Sequence, residues 1–225
     1  MAHAHGRTFV RFISIVSAYG PVKHERFYFE DGNVVFLVET TLFKVHRYSL
    51  ETKSGVFETM FSLKPPKDQS VEGDSKYNPI HLQGTTVVDF ERFLTVLYPR
   101  DLRRSDLNSF DEWLSVLELA TKYAVDDMRE VAIQHATRAG SLAQRIYMAR
   151  LYHLPDLLLK ARIEMCQRQQ AITVEEGRML GVDEVVVLSE CRAYIRSAEG
   201  RVVKYLPRDV QYLEAQYRQL GDPID

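Results

Sequence analysis

The spacing of apolar residues changes once along this chain, and the change limits the folds open to it. Between Phe27 and Val45 the apolar residues come in short, dense runs of aromatic and β-branched side chains. From Gly55 onward they recur at i, i+3, i+4 and i+7 instead. The first pattern builds strands covered on both faces, and the second lays an apolar stripe along a helix. Strands gathered at one end with helices after them define the α+β class.

Phe27-Tyr28-Phe29 leads through Asp31-Gly32-Asn33 straight into Val34–Val38, which reads as a strand or hairpin. Thr40 and Thr41 supply a second turn, and Leu42–Val45 is the short partner strand. His46–Leu50 forms a helical turn. Ser54 then caps a helix over Gly55–Phe61, where Val56 meets Met60 and Phe57 meets Phe61 at i,i+4. Lys64–Asn78, with Pro65, Pro66, Gly73 and balanced charges, is a loop, and Ile80 and Leu82 form a brief strand.

Helices follow. Phe90, Phe93, Leu94 and Leu97 mark the first, which Pro99 stops; Phe110, Trp113, Leu114 and Leu117 mark the second. Met128, Val131 and Ala132 mark a third, with Gly140 after it. Pro155 starts a helix carrying Leu158, Ala161 and Met165 on one face, and Thr173 to Glu176 is a capping box before Gly181. Val185-Val186-Val187 has strand propensity, yet the spacing of Val187, Cys191, Tyr194 and Ile195 favours a helix over Asp183–Arg196. Val210, Leu213, Tyr217 and Leu220 suit an amphipathic helix after Pro207. No internal repeat emerges at a spacing of ~20–50 residues, which argues against a solenoid or propeller.

Composition narrows the function classes. With 225 residues, 45% hydrophobic and 27% charged, the chain can bury a core without disulfide or metal staples. A net charge of −2 provides no global pull toward nucleic acid or anionic membrane. Cys166 and Cys191 cannot build a disulfide framework and suit a reducing compartment, which points to an intracellular protein of the cytoplasm or nucleus. No stretch reaches the ~18–20 apolar residues that span a bilayer. Arg11 interrupts the nearest one, Phe9–Tyr19, so residues 1–26 read as a flexible or strand-forming N-terminal arm rather than a signal peptide, the flexible form being the simpler reading.

Catalytic and metal-binding patterns are missing from the sequence. His3 and His5 lack further local ligands, the other histidines are scattered, and neither cysteine has a Cys-x-x-Cys partner, so no metal is expected. There is no nucleophile elbow, phosphate-cradling loop or dinucleotide fingerprint. Glu175 and Glu176 are adjacent on a helix and do not face each other, and Glu176 is needed for the cap. The expectation is a non-enzyme with no cofactor. From Arg138 to Gln170 six Lys and Arg outnumber Asp156 and Glu164, but they are spread around their helices. A solvated face explains them better than nucleic-acid binding does.

Several strings resemble the BTB/POZ domain. Val34–Glu39 is followed by Leu42-Phe43-Lys44-Val45-His46-Arg47, Leu50, Ser54, Phe57 and Met60-Phe61, similar to the family's "F-x-x-H-R/K" and "S-x-x-F-x-x-M-F" signature. Phe90-x-x-Phe93-Leu94-x-x-Leu97-Tyr98 and Leu117–Tyr123 resemble its later helices. Leu97-Tyr98-Pro99-Arg100-Asp101 and Glu175–Gly181 resemble a fungal group of the family, in which a helical extension follows.

The resemblance implies a small β-sheet flanked by a cluster of helices over residues 27–140, a helical extension over 141–196 and a C-terminal tail over 197–225. Phe43, Phe57, Met60 and Phe61 are expected in its core, and His46 in a hydrogen-bonding role. It implies a non-catalytic protein–protein interaction module that self-associates, possible as a homodimer, or a substrate adaptor on a cullin-type ubiquitin ligase. In the transcription-factor branch an Asp and the Arg of the His-Arg pair line a charged groove at the dimer interface. The Asp position falls here on Asn33, while Arg47 is retained. Either Asp31 reaches Arg47 or Arg47 is exposed, since a bare buried cation is costly. Asp31, Asn33, His46 and Arg47 are therefore the candidate interface residues.

Overall fold

The computed structural model describes residues 20–63, 70–101 and 105–199, with Gln211 and Ala215; for 194–199 it describes the backbone alone. The tail helix expected beyond Pro207 lies outside these residues, apart from Gln211 and Ala215, both of them helical. The first nineteen residues of the expected arm lie outside them too. In its remainder the strand-forming alternative holds and the flexible one does not: β1 (Val22–Tyr28) starts five residues before the expected onset of order at Phe27. Its Lys23, Glu25 and Arg26 conceal the strand, because an edge strand tolerates charge where a central one does not.

The chain divides into two compact units, one of residues up to 48 with 62–87, the other of 49–61 with residues from 88 onward. The first unit holds a four-stranded mixed sheet in the order β1-β3-β2-β4. β2 (Val34–Val38) and β3 (Thr41–Val45) form an antiparallel hairpin, with Val34 opposite Val45 and Val38 opposite Thr41. Its two-residue turn is Glu39-Thr40, one residue earlier than expected, and Glu39 takes φ 52° as tight hairpins demand. β1 runs parallel to β3 and does not pair with β2, so the turn at Asp31-Gly32 joins strands that β3 separates. β4 (Ile80–His81) adds a parallel edge to β2.

Phe27, Phe36, Val38, Phe43 and Val45 are fully buried, as dense apolar runs covered on both faces require. Gly73 carries φ +86° and accepts the Val35 N–H, and a Cβ there would come within 2.8 Å of Ile80 Cδ1. A side chain at that position would therefore push the loop off the edge of β2. Glu39 also reaches forward: its carboxylate accepts the Val87 N–H at 3.1 Å, capping the start of α3 (Val87–Leu97).

α1 (Arg47–Glu51) leads from the first unit into the second, which contains α2 (Gly55–Ser62) and the helices after α3. α2 buries Phe57 alone; Phe61 stacks on it at 5.8 Å but stays half-buried, as does Met60, and Val56 is exposed. The expected core role thus holds for Phe43 and Phe57 and only in part for Met60 and Phe61. α4 (Phe110–Lys122) and α5 (Asp126–Ala139) form a helical hairpin, as do α6 (Leu142–Leu151) and α7 (Pro155–Gln167). α8 (Val174–Leu180) and α9 (Val182–Glu199) complete the unit. α9 is one continuous helix, so its length and spacing prevail over the strand propensity of Val185–Val187.

The two hairpins share one plan, which no sequence repeat announces. Each opens on a serine capping box, Ser109 with Glu112 and Ser141 with Gln144. Each turns through Tyr, a left-handed residue and an apolar residue. Ala124 has φ 49° in Tyr123-Ala124-Val125, and His153 has φ 51° in Tyr152-His153-Leu154. The apolar N–H returns to an alanine carbonyl in both, Val125 to Ala120 and Leu154 to Ala149, each at 2.8–2.9 Å. In sequence they share Ala-x-x-Tyr-x-Val/Leu-x-Asp and, five residues on, Ala132 and Ala161, too little to register as a repeat.

Candidate functional site

All four candidate interface residues meet at one corner of the sheet unit. The chain leaves β1 through Phe29–Asp31, with Phe29 N–H donating to Lys44 O at 2.8 Å and Asn33 N–H to Val45 O at 2.9 Å. These bonds press the turn onto β3, and a Cβ at Gly32 would stand 2.9 Å from Lys44 O. Asp31 and Asn33 are thereby held over the junction of β3 and α1, where His46 and Arg47 lie.

Asp31 does not serve Arg47. Its Oδ2 lies 3.2 Å from His46 Nε2, and the His46 ring stacks on Phe29 at 5.2 Å. The hydrogen bond from His46, helped by the residue's own backbone N–H, holds the exposed Asp31 carboxyl below its ordinary pKa. Asn33 Oδ1 accepts the Arg47 backbone N–H at 2.7 Å and so caps the first residue of α1 from a distant segment. Neither sequence alternative for Arg47 holds: Asp31 is taken by His46, and Arg47 is half-buried rather than exposed. The amide at position 33 has a local use, and next to it Tyr48 stands 75% exposed.

In the second unit, Ser54 caps α2 as the sequence suggests, and it makes a further bond that the sequence did not signal. Its hydroxyl accepts the Phe57 N–H at 3.1 Å and donates to the Tyr123 carbonyl, while the Phe57 and Tyr123 rings pack at 4.7 Å. One buried hydroxyl thus starts α2 and terminates α4. The signature serine and the later tyrosine are a structural pair.

The basic segment from Arg138 to Gln170 is largely spent inside the fold. Arg162 and Glu184, both 3% exposed, form a two-pronged pair at 2.9 and 2.8 Å. Arg145 binds Gly140 O and Glu164, and Arg168 grips Glu176 with both terminal nitrogens. Arg150 donates to Leu180 O and lies 3.7 Å from Glu184. Four of the six cations therefore fasten helices together, while Arg138, Arg150 and Lys160 stay exposed. The arginine grip pulls the Glu176 carboxyl down to about 2. Cys166 and Cys191 are buried and touch, and the Cys166 thiol is pushed up by its hydrogen bond to Cys191 and by burial, which leaves it unreactive.

Among the described residues no cluster of His, Cys, Asp and Glu suits a metal, and no helix is long and apolar enough to cross a membrane. The model of the BTB/POZ domain family matches residues 28–140, half of the chain, and the protein belongs to that family. No curated protein matches the sequence. BTB/POZ domains are protein–protein interaction modules, generally not enzymes.

Proposed function

We propose that this protein is a non-catalytic interaction module that self-associates through its BTB/POZ part, using the corner of Asp31, Asn33, His46 and Arg47. The observation carrying the reading is the placement of all four on one surface beside the exposed Tyr48. Paired and capped within the corner, they present a preorganised polar rim around an aromatic side chain, a composition common in protein interfaces. Light scattering across a concentration series tests it. The expected result is a mass that rises from monomer toward dimer, with the rise weakened in Tyr48→Glu. A constant monomer mass at high micromolar concentration would sink self-association.

A second reading makes the protein a substrate adaptor on a cullin-type ubiquitin ligase, in keeping with the fungal group its sequence resembles. It is favoured by the hydrophobic cluster of Ile146, Ile163, Met165 and Leu188, which gives the extension a core of its own and hence a second surface. Pull-down with a purified cullin N-terminal region checks it, and no retained cullin counts against it. An intracellular setting in cytoplasm or nucleus accompanies either reading.

A further inference from the structure

The two hairpins of the second unit serve as controls for each other. Aligned on Tyr123 and Tyr152, the positions of Tyr147 and Leu151 in α6 correspond to Glu118 and Lys122 in α4. Glu118 and Lys122 are exposed and polar, an i,i+4 pair typical of a solvated helix face. The same hairpin is therefore built without apolar residues at these positions. Yet Tyr147 is 40% exposed and Leu151 51% exposed, so this hairpin presents apolar surface where the first presents polar side chains.

Both side chains line a cleft of about 530 Å³ at the α6–α7 turn, closed on its far side by the end of α8. Leu158 and the 41% exposed Met179 extend the apolar lining. Two guanidinium groups, Arg150 and Arg178, also line it, and no carboxylate does. Glu184 lies 3.7 Å from Arg150, but both its oxygens are held by Arg162. Arg178 is exposed at the end of α8. The cleft thus couples an apolar trough with the exposed Arg178, Arg150 being engaged by Leu180 O and Glu184, and so favours an acidic, amphipathic guest.

We propose that the α6–α8 cleft docks a short peptide segment of a partner protein, one that places leucine-like side chains on Tyr147, Leu151 and Met179 and a carboxylate on Arg178. The proposal rests on the reading of this protein as an interaction module and supplies the chemistry of a partner. It is independent of the Asp31–Arg47 corner.

Fluorescence anisotropy on the full chain tests it, with labelled peptides of alternating leucine and glutamate, leucine and lysine, or serine and glutamate. The leucine–glutamate peptide alone is expected to bind. Tyr147→Glu with Leu151→Lys transplants the polar pair of the first hairpin; this variant is expected to melt like the wild type and to bind at least about tenfold more weakly. Arg178→Glu is expected to weaken the leucine–glutamate peptide similarly and to favour the leucine–lysine peptide. No binding, equal binding of both leucine peptides, or affinity unchanged in these variants would overturn the proposal. Unfolding of the double variant would return Tyr147 and Leu151 to the core and overturn it as well. A loss of self-association in that variant would assign the cleft to a second copy. Binding that appears only when Asp222 and Asp225 are changed to Lys would assign it to the chain's own last residues, which carry those two carboxylates. Light scattering on the unmodified chain reads the self-association proposal separately, so either can fail alone.

Discussion

The segment matched by the BTB/POZ family and the extension after Gly140 fill their interiors with different chemistry. Up to Gly140 the largest buried side chains are rings: Phe27, Phe36, Phe43, Phe57, Phe90 and Phe93. Beyond it no aromatic residue is buried among the described residues; Ile146, Met148, Met165 and Leu188 do the packing. Charge runs the other way, since the three buried charged residues, Arg162, Glu184 and Arg192, all lie in the extension. Arg192 donates to the carbonyls of Met165 and Gln170 and so ties α9 to the end of α7. Rings stabilise by apolar area and shape, and their contribution scales with what they bury. A buried ion pair adds little net stability, but losing one partner strands the other, so it sets orientation more than it adds strength.

The largest effects set these two strategies against each other. Glu184→Ala should destabilise by about 3–5 kcal/mol by leaving Arg162 as an uncompensated buried cation. Phe57→Ala should cost a similar amount, about 3–5 kcal/mol, through lost area and a cavity. Equilibrium urea unfolding measures both, and a rescue separates them. Replacing Arg162 and Glu184 together by Met should recover most of the loss in the extension. If Glu184→Ala costs under about 1 kcal/mol, water reaches the pair and the contrast between the regions disappears.

A smaller effect compares a buried cap with exposed ones. Ser54→Ala removes the bond to Phe57 N–H and strands the Tyr123 carbonyl, so about 1–3 kcal/mol is expected. Ser141→Ala removes an exposed cap whose N–H partner can turn to water, so about 1 kcal/mol or less is expected. Thermal unfolding should rank them in that order, and an equal shift in melting temperature would show that the Tyr123 contact contributes nothing.

These contrasts explain what could be read in advance. The strands of the hairpin, the long helices and the Thr173 cap were legible because each is set by local pattern: dense β-branched runs, 3.6-residue spacing, a Thr-x-x-Glu string. β1 was partly missed because edge charges hide its alternation. Its parallel pairing with β3 was missed because local pattern says nothing about which strand lies between two others. At the candidate corner, the four residues were identified together, but their pairing was not. Choosing between Asp31–Arg47 and Asp31–His46 requires the stacking of His46 on Phe29, a tertiary fact. The fate of the arginines was hidden for the same reason, because a lysine- or arginine-rich helix looks solvated until a carboxylate from another helix is placed against it.

The Arg168–Glu176 grip sharpens the comparison through pH. With Glu176 lowered from 4.5 to about 2, the unfolded chain takes up the proton first as acid is added. The pair's contribution is complete above about pH 4.5 and is lost as pH falls toward 2. We expect about 1–2 kcal/mol after solvent screening. In Glu176→Gln that slope should vanish from a stability–pH profile, and an unchanged acid limb would place the pH sensitivity elsewhere.

The smallest effect lies in the sheet unit, where Asp31 and His46 are held together on the surface rather than sealed. Asp31 owes its lowered pKa first to His46, not to burial, so removing the histidine should let the carboxyl rise toward its ordinary range. A carboxyl-detected NMR titration of His46→Ala should show that rise, while the unfolding midpoint stays unchanged, because an exposed carboxylate that loses one partner is still hydrated. A fall in stability would mean that the pair anchors the turn over β3, and the corner would then be a structural clasp. An unmoved Asp31 titration would mean that the backbone N–H alone holds it. The expected outcome, a pKa change with no stability change, is what distinguishes a solvent-exposed pair from the sealed Arg162–Glu184, where removing one partner carries an unfolding cost.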